Sequence, residues 1–294
     1  MIDFIRYRLI YFALSGLIIG SGVFALLRWG INLGFDFTGG TVWEIQSSKP
    51  LDQTRIQEIF KSKGLEVKVQ VNQSLYSAKI SSRKEFRREE VLKELLAEYP
   101  NLVSLRFETL GPKVGSELIR KTLIALTIAT IGLLLYIAYR FKGLVYGLSA
   151  ILAVVHDTLV LIGSAAILGK IFGFEVDLLY VTAVLTTISF SLHDTVVVFD
   201  RIREIKKKNP TSSDKDVINQ ALNETFVRSI NTSITIILML FALLLLSPGA
   251  IKNFVITLFI GSITGTYSSI FIASPLIVTF EDLKKLIKHA RSGK

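Results

Sequence analysis

Three ionisable side chains stand inside stretches otherwise apolar enough to cross a membrane: Asp157 in AVVHDTLVL, Asp194 in SLHDTVVVFDRIRE and Arg228 in ETFVRSINTSIT. Each such residue costs about 2.5–3.5 kcal/mol at the centre of a spanning helix, so each needs an explanation. Asp194 lies close to the end of the apolar run 178–199, about 7–8 Å from it at 1.5 Å per residue. Arg228 opens the following run, and its long side chain reaches to that depth. A buried ion pair rarely raises stability enough to account for itself, whereas a carboxylate beside a permanently charged guanidinium can take up and release a proton. Asp194 with Arg228 is therefore the candidate proton-translocating pair. Asp157 is an auxiliary candidate, with a plain hydrogen bond to a neighbouring helix as its alternative.

Hydroxyls surround these residues at helical spacing. Thr187, Ser191 and Asp194 fall on one face, and Thr182, Thr186, Ser189 and His193 on an adjacent one. Arg228, Thr232 and Thr235, and then Ser262, Thr266 and Ser269, repeat the spacing in the next two runs. Either these faces line one wet seam, with Thr187, Ser191, Thr232 and His193 as auxiliary polar residues, or the hydroxyls bond to packed helices and to their own backbone.

The elements that must position them are spanning helices. The 294 residues are 50% hydrophobic, which soluble domains also reach, but the apolar residues are gathered into runs of about 20, the length that crosses a hydrocarbon core of about 30 Å. Six such runs fall at 9–29, 122–139, 144–169, 178–199, 229–247 and 254–278. An even number places both termini on one side. Arg6, Arg8, Arg140, Lys142, the cluster from Arg201 to Lys215, Arg228 and the tail from Lys284 to Lys294 share that side, against Lys170 and Lys252 opposite. The positive-inside rule makes it the cytoplasmic one. The net charge of +10 is thereby explained without a nucleic-acid partner; the lipid bilayer is the medium. SGLIIGSG leads into no cleavage site, so the first helix stays as an anchor. Absence of cysteine excludes disulfides and thiolate metal sites.

The long loop between the first two helices mixes both charge signs and reads as a folded extracytoplasmic domain: strand TVWEIQS, helix 52–63, strand LEVKVQV, a turn at Asn72–Ser74, strand LYSAKIS, helix 86–98 and strand LVSLRFETL. Ser82 and Glu85 have capping-box spacing for the second helix. The order βαββαβ is the ferredoxin-like α+β plan, which identifies no function. The expected organisation is a polytopic α-helical membrane protein: residues 1–30 as N-terminus and helix 1, 31–116 as the external domain, 117–280 as helices 2–6, and 281–294 as a basic cytoplasmic tail. Gly16/Gly20, Gly143/Gly147 and Gly261/Gly265 form G-x-x-x-G pairs, expected at close helix contacts. FDFTGGT supplies a tight turn and lacks phosphate-loop spacing.

NLGFDFTGGT, ETLGPKVGSEL, AVVHDTLVL, SLHDTVVVFDRIRE and NETFVRSINTSIT together resemble the SecD/SecF family of protein-export membrane proteins, within the resistance-nodulation-division superfamily, over nearly the whole chain. The resemblance implies an accessory subunit of the Sec translocase in the bacterial inner membrane rather than an enzyme. It is partnered with SecD, acts with the SecYEG channel and with YajC and YidC, and uses the proton-motive force to assist the translocating preprotein. It carries the family's membrane aspartate onto Asp194 and its arginine onto Arg228. The residue before that aspartate is often Asn in the family and is His193 here. No cofactor is implied; the coupling ion is H+, with Na+ as the alternative. Two other classes remain: another exporter of the same superfamily for lipid or drug, and an intramembrane metalloenzyme built on the His156-Asp157 and His193-Asp194 dipeptides.

Overall fold

The computed structural model describes all residues except 1, 48–50, 66, 73–74, 81–87, 141–142, 248 and 293–294. The proposed turn residues 73–74 and the Ser82/Glu85 capping box lie outside the described residues. The chain divides into two compact units, Met1–Asn32 with Thr127–Lys294, and Leu33–Leu126.

In the smaller unit, the short helix α2 (Phe35–Thr38) stops at Gly39, whose φ of +70° begins the turn into β1 (Gly40–Ser47). Then follow α3 (Gln53–Ser62), β2 (Val67–Asn72), β3 (Leu75–Ile80), α4 (Arg88–Glu98) and β4 (Leu102–Leu110). The strands form one antiparallel sheet in the order β2-β3-β1-β4. Burial alternates along β1, so that Thr41, Trp43, Ile45 and Ser47 turn inward. Trp43 is wholly buried, edge-on to Phe60 and Phe107, and donates its Nε1–H to Ser104 Oγ at 2.8 Å. Asp52 starts α3 by accepting from the Thr54 N–H at 2.9 Å, and the helix delivers Ile56, Ile59 and Phe60 to the same core. A methyl group at Gly115 would lie 2.8 Å from the Phe37 carbonyl oxygen, so the FDFTGG and GPKVGS segments meet where only glycine fits.

The larger unit carries α1 (Arg8–Trp29), the membrane-side part of α5 (Pro112–Arg140), α6 (Leu144–Phe172), α7 (Leu178–Lys208), α8 (Asp214–Leu246) and α9 (Gly249–Ser268). A π turn over Ser269–Ala273 joins α9 to α10 (Ser274–Ser292). Among the described residues, six helical stretches are long and apolar enough to span a membrane. The helices outrun the apolar segments expected for them. α7 continues nine residues past 199 because Ile202 and Ile205 bury themselves while Arg201 pairs with Glu204 and Glu224, and Lys208 with Glu204. α8 begins at Asp214 rather than 229: Ser213 caps it by accepting the Asp216 N–H, and Val217, Ile218, Ala221 and Leu222 join the core. Residues 281–292, read from sequence as a tail, continue α10.

α1 packs on α6, and α7 on α9. Gly261 and Gly265 permit the second contact: methyl groups there would lie 2.4 Å from Thr187 Cγ2 and 2.8 Å from Ser191 Cβ. The other two G-x-x-x-G pairs depart from expectation, since Gly16, Gly20 and Gly147 meet nothing within 4 Å of the same position and Gly143 meets only Tyr146. The α1–α6 contact is made by Gly22 and Gly163 instead. α5 is nearly bare within this chain: Leu123, Ile124, Ile128, Ile131 and Leu135 are exposed, and Ile137 is buried.

Candidate functional site

Lengthening α7 and α8 moves two expected site residues toward mid-helix. Asp194 lies about 24 Å along α7 from Leu178, and Arg228 about 21 Å along α8 from Asp214, by helical rise. Asp194 is half-buried, whereas His193, Arg228 and Thr232 are exposed. Arg228 and His193 act electrostatically on Asp194. Among the described residues, however, no hydrogen bond or ion pair within 4.0 Å joins Asp194 to Arg228. The expected pair is thus a neighbourhood rather than a closed salt bridge, and it lies at the surface of this chain.

Most of the hydroxyls expected to line a seam turn back on their own helices. Thr182, Thr186 and Ser189 donate to carbonyls one turn earlier, as do Thr232 to Arg228 and Thr235 to Asn231. Thr187 is buried, donates to the Val184 carbonyl and fills the space left by Gly261. Its role is packing.

The seam that does form is elsewhere, around Asp157. This residue is 2% exposed. Its Oδ2 accepts from Ser191 Oγ on α7 at 2.5 Å and from Ser268 Oγ at the end of α9 at 2.8 Å; its Oδ1 lies 2.9 Å from His156 Nδ1. His156 Nε2 is 3.0 Å from Ser15 Oγ on α1, Ser15 Oγ donates to the Tyr267 hydroxyl at 3.3 Å, and that hydroxyl donates to the Tyr11 carbonyl at 3.0 Å. Three helices therefore meet at one carboxylate, and α1 joins them through His156. A single buried carboxylate with three neutral or shareable donors is satisfied without a fixed cation. Ser191 reaches it because Gly265 lets α9 approach α7, and Ser268 reaches it from the residue before the π turn, a distortion frequent at functional positions.

Sequence reasoning ranked Asp157 below Asp194 and missed Ser15, Ser268 and Tyr267. The His156-Asp157 dipeptide was the available signal, and it pointed toward metal chemistry. Among the described residues no three His, Cys, Asp or Glu side chains gather as a metal site.

A family model described as Protein export membrane protein SecD/SecF, C-terminal, matches residues 90–283. The chain is 42% identical over 303 residues to the protein translocase subunit SecF of Thermobaculum terrenum, covering 96% of this chain and 95% of that one. It is 32% identical over 296 residues to the protein translocase subunit SecDF of Bacillus subtilis, covering 96% of this chain and 39% of the relative. The crystal structure of SecDF, a translocon-associated membrane protein, from Thermus thermophilus superposes with a TM-score of 0.85 at 29% identity, over 96% of this chain and 39% of that one. SecDF in a super-membrane-facing form superposes with a TM-score of 0.69 at 30% identity, over 98% and 39%.

Proposed function

The chain belongs to the SecD/SecF protein-export family, and on that footing we propose that it is the subunit that, with SecD, converts the proton-motive force into assistance for preprotein export across the cytoplasmic membrane. The observation that carries this reading is the polar face of α7 and α8. His193, Arg228 and Thr232 are exposed and Asp194 is half-buried where the apolar runs of α7 and α8 approach their charged ends, in a chain that matches 39% of a fused SecDF. A carboxylate and a guanidinium on one face are costly against lipid, and in this reading a second set of spanning helices covers them. SecD supplies those helices. The SecYEG channel, YajC and YidC complete the machinery.

In this reading both termini are cytoplasmic and the sheet unit, taken as ferredoxin-like, is extracytoplasmic and meets the emerging preprotein. Asp194 alternates between protonated and ionised forms. When ionised it draws Arg228 inward across the gap that separates them here; when protonated it releases it. The drive is about 2.3 kcal/mol per charge per 100 mV, enough to bias a two-state element severalfold to tens of fold per proton.

The test is export of a defined preprotein in proteoliposomes holding the complex with SecD and the channel, under an imposed proton gradient with a sodium gradient as control. Asp194→Asn and Arg228→Ala should each abolish the proton-stimulated component while SecD still co-purifies. Full gradient-dependent export by a normally assembled Asp194→Asn complex would refute the reading, and stimulation by sodium alone would reassign the ion.

A further inference from the structure

Hydrogen-bond directions around His156 follow from which partner has a proton to give. The Tyr11 carbonyl is only an acceptor, so the Tyr267 hydroxyl spends its proton there. Tyr267 then receives from Ser15, whose own proton is thereby used. Ser15 Oγ is left as an acceptor toward His156, so His156 Nε2 carries a hydrogen. On the other side, Ser191 donates to Asp157 Oδ2 at 2.5 Å, and Ser268, whose hydroxyl also lies 3.2 Å from the Gly265 carbonyl, makes its shorter bond of 2.8 Å to the same oxygen, so Oδ2 accepts twice and carries no proton.

What remains is the contact between His156 Nδ1 and Asp157 Oδ1 at 2.9 Å. Two bare lone pairs would repel there. One proton must lie between them, either on the imidazole, facing a carboxylate, or on the carboxyl, facing a neutral imidazole. In both cases the pair holds two protons in all and has no net charge, the cheapest state for an aspartate and a histidine buried among spanning helices.

We propose that His156 and Asp157 form a second intramembrane proton-binding site, distinct from Asp194, whose loading state sets the direction of a hydrogen-bond chain through Ser15 and Tyr267. Release of one proton to solvent leaves a neutral imidazole, with its hydrogen on Nδ1, donating to the Asp157 carboxylate. Nε2 becomes an acceptor. Ser15 turns its hydroxyl proton from Tyr267 to Nε2, and Tyr267 turns its own from the Tyr11 carbonyl to Ser15. No bond other than O–H and N–H is made or broken, and one proton leaves for each negative charge the pair acquires. The switch re-aims hydrogen bonds among α1, α6 and α9, while Ser191 of α7 holds Asp157 Oδ2 in both states. Ser191 lies one turn from Asp194 on α7, which puts the two sites on neighbouring turns of one helix.

Among the described residues, the titratable groups facing the pair are few. From α1 and α9 they are Tyr11 and Tyr267. α7 brings Asp194 and His193 one turn beyond Ser191, with no bond to Asp157. The π turn brings none. From α10, Glu281 lies beside Tyr146 near the start of α6, about three turns from Asp157, and Asp282 pairs with Arg8 at the start of α1.

The proposal builds on the proton-driven reading only for its place in a cycle, and its test needs neither gradient nor export. The full chain in complex with SecD, labelled with 15N-histidine and reconstituted in lipid, would be followed by solid-state NMR, with His156→Asn identifying the His156 resonances. At neutral pH, Nε2 should be protonated and Nδ1 in a strong hydrogen bond. On alkaline titration Nε2 should lose its proton while Nδ1 keeps one. Tyr267→Phe frees the Ser15 hydroxyl to donate to Nε2, so it should lower the site's proton affinity about tenfold, the equivalent of one hydrogen bond. An unprotonated Nε2 at neutral pH overturns the proposal. So does a His156 whose nitrogens keep one state across the pH range the complex tolerates, or a titration that Tyr267→Phe leaves unmoved. Asp194→Asn should leave the His156 site able to titrate, which separates failure of this proposal from failure of the Asp194 reading.

Discussion

Gly22 on α1 and Gly163 on α6 meet backbone against backbone: a methyl group built on Gly22 would lie 2.8 Å from the Gly163 Cα, and one built on Gly163 would lie 2.6 Å from the Gly22 Cα. This contact, rather than the G-x-x-x-G pair of the same helix, brings Ser15 of α1 to His156 of α6. Without a hydrophobic drive between helices in lipid, such close approach is what holds them.

Gly163→Ala should therefore force α1 and α6 apart and destabilise the larger unit by about 1–3 kcal/mol, the range for overpacking a tight contact. Gly16→Ala and Gly20→Ala, on a face open within this chain, should stay within about 0.5 kcal/mol. Reversible unfolding in mixed micelles compares the three. Equal effects would mean that the Gly22–Gly163 contact is not special.

Trp43 anchors the smaller unit by its burial, its two edge-on rings and its bond to Ser104. Trp43→Ala should cost about 3–5 kcal/mol there. A soluble fragment of residues 33–111 should unfold cooperatively in urea with mixed helix and sheet by circular dichroism, and the variant should lose that transition. A fragment with no cooperative transition removes the claim that this unit has its own core.

Acid should loosen the N-terminal segment from the base of α8. The Asn219 amide holds the Asp3 carboxyl below its usual range, aided by the Arg6 N–H and the Lys215 ammonium and opposed by desolvation. A carboxyl lowered in the folded state contributes stability that is present above its unfolded pKa and lost as pH falls through the folded one. Amide exchange of residues 2–7 should accelerate relative to the core as pH drops below the ordinary carboxylate range, and Asp3→Asn should flatten that dependence. An unchanged profile in the variant would assign the acid response to another group.

Orientation is open to a labelling experiment, because the chain has no native thiol. Cysteines at Lys61, exposed on α3, and Lys285, exposed on α10, should respond oppositely to an impermeant reagent added to intact cells. Position 61 should label and position 285 should not. The reverse pattern would invert the proposed topology.

Sequence by itself determined the elements. Apolar runs of about 20 residues specify spanning helices because the bilayer core sets their length, and the alternation of Leu65, Val67, Val69 and Val71 in LEVKVQV specifies a sheet with one buried face. The rare ionisable residues Asp157, Asp194 and Arg228 were equally legible, because their insertion cost singles them out wherever they point. Helical periodicity gives the spacing of a stripe but leaves its direction around the axis undetermined. Only tertiary packing decided that Thr232 and Thr235 turn outward and bond to their own backbone, while Ser191 turns inward. It also joined Asp157 to Ser191 and to Ser268, 34 and 111 residues away, because Gly265 and Gly22 let helices approach where bulkier residues would hold them apart. It also left Asp194 half-buried and Arg228 exposed, with no ion pair between them among the described residues, because Arg228 turns away from the helices packed within this chain.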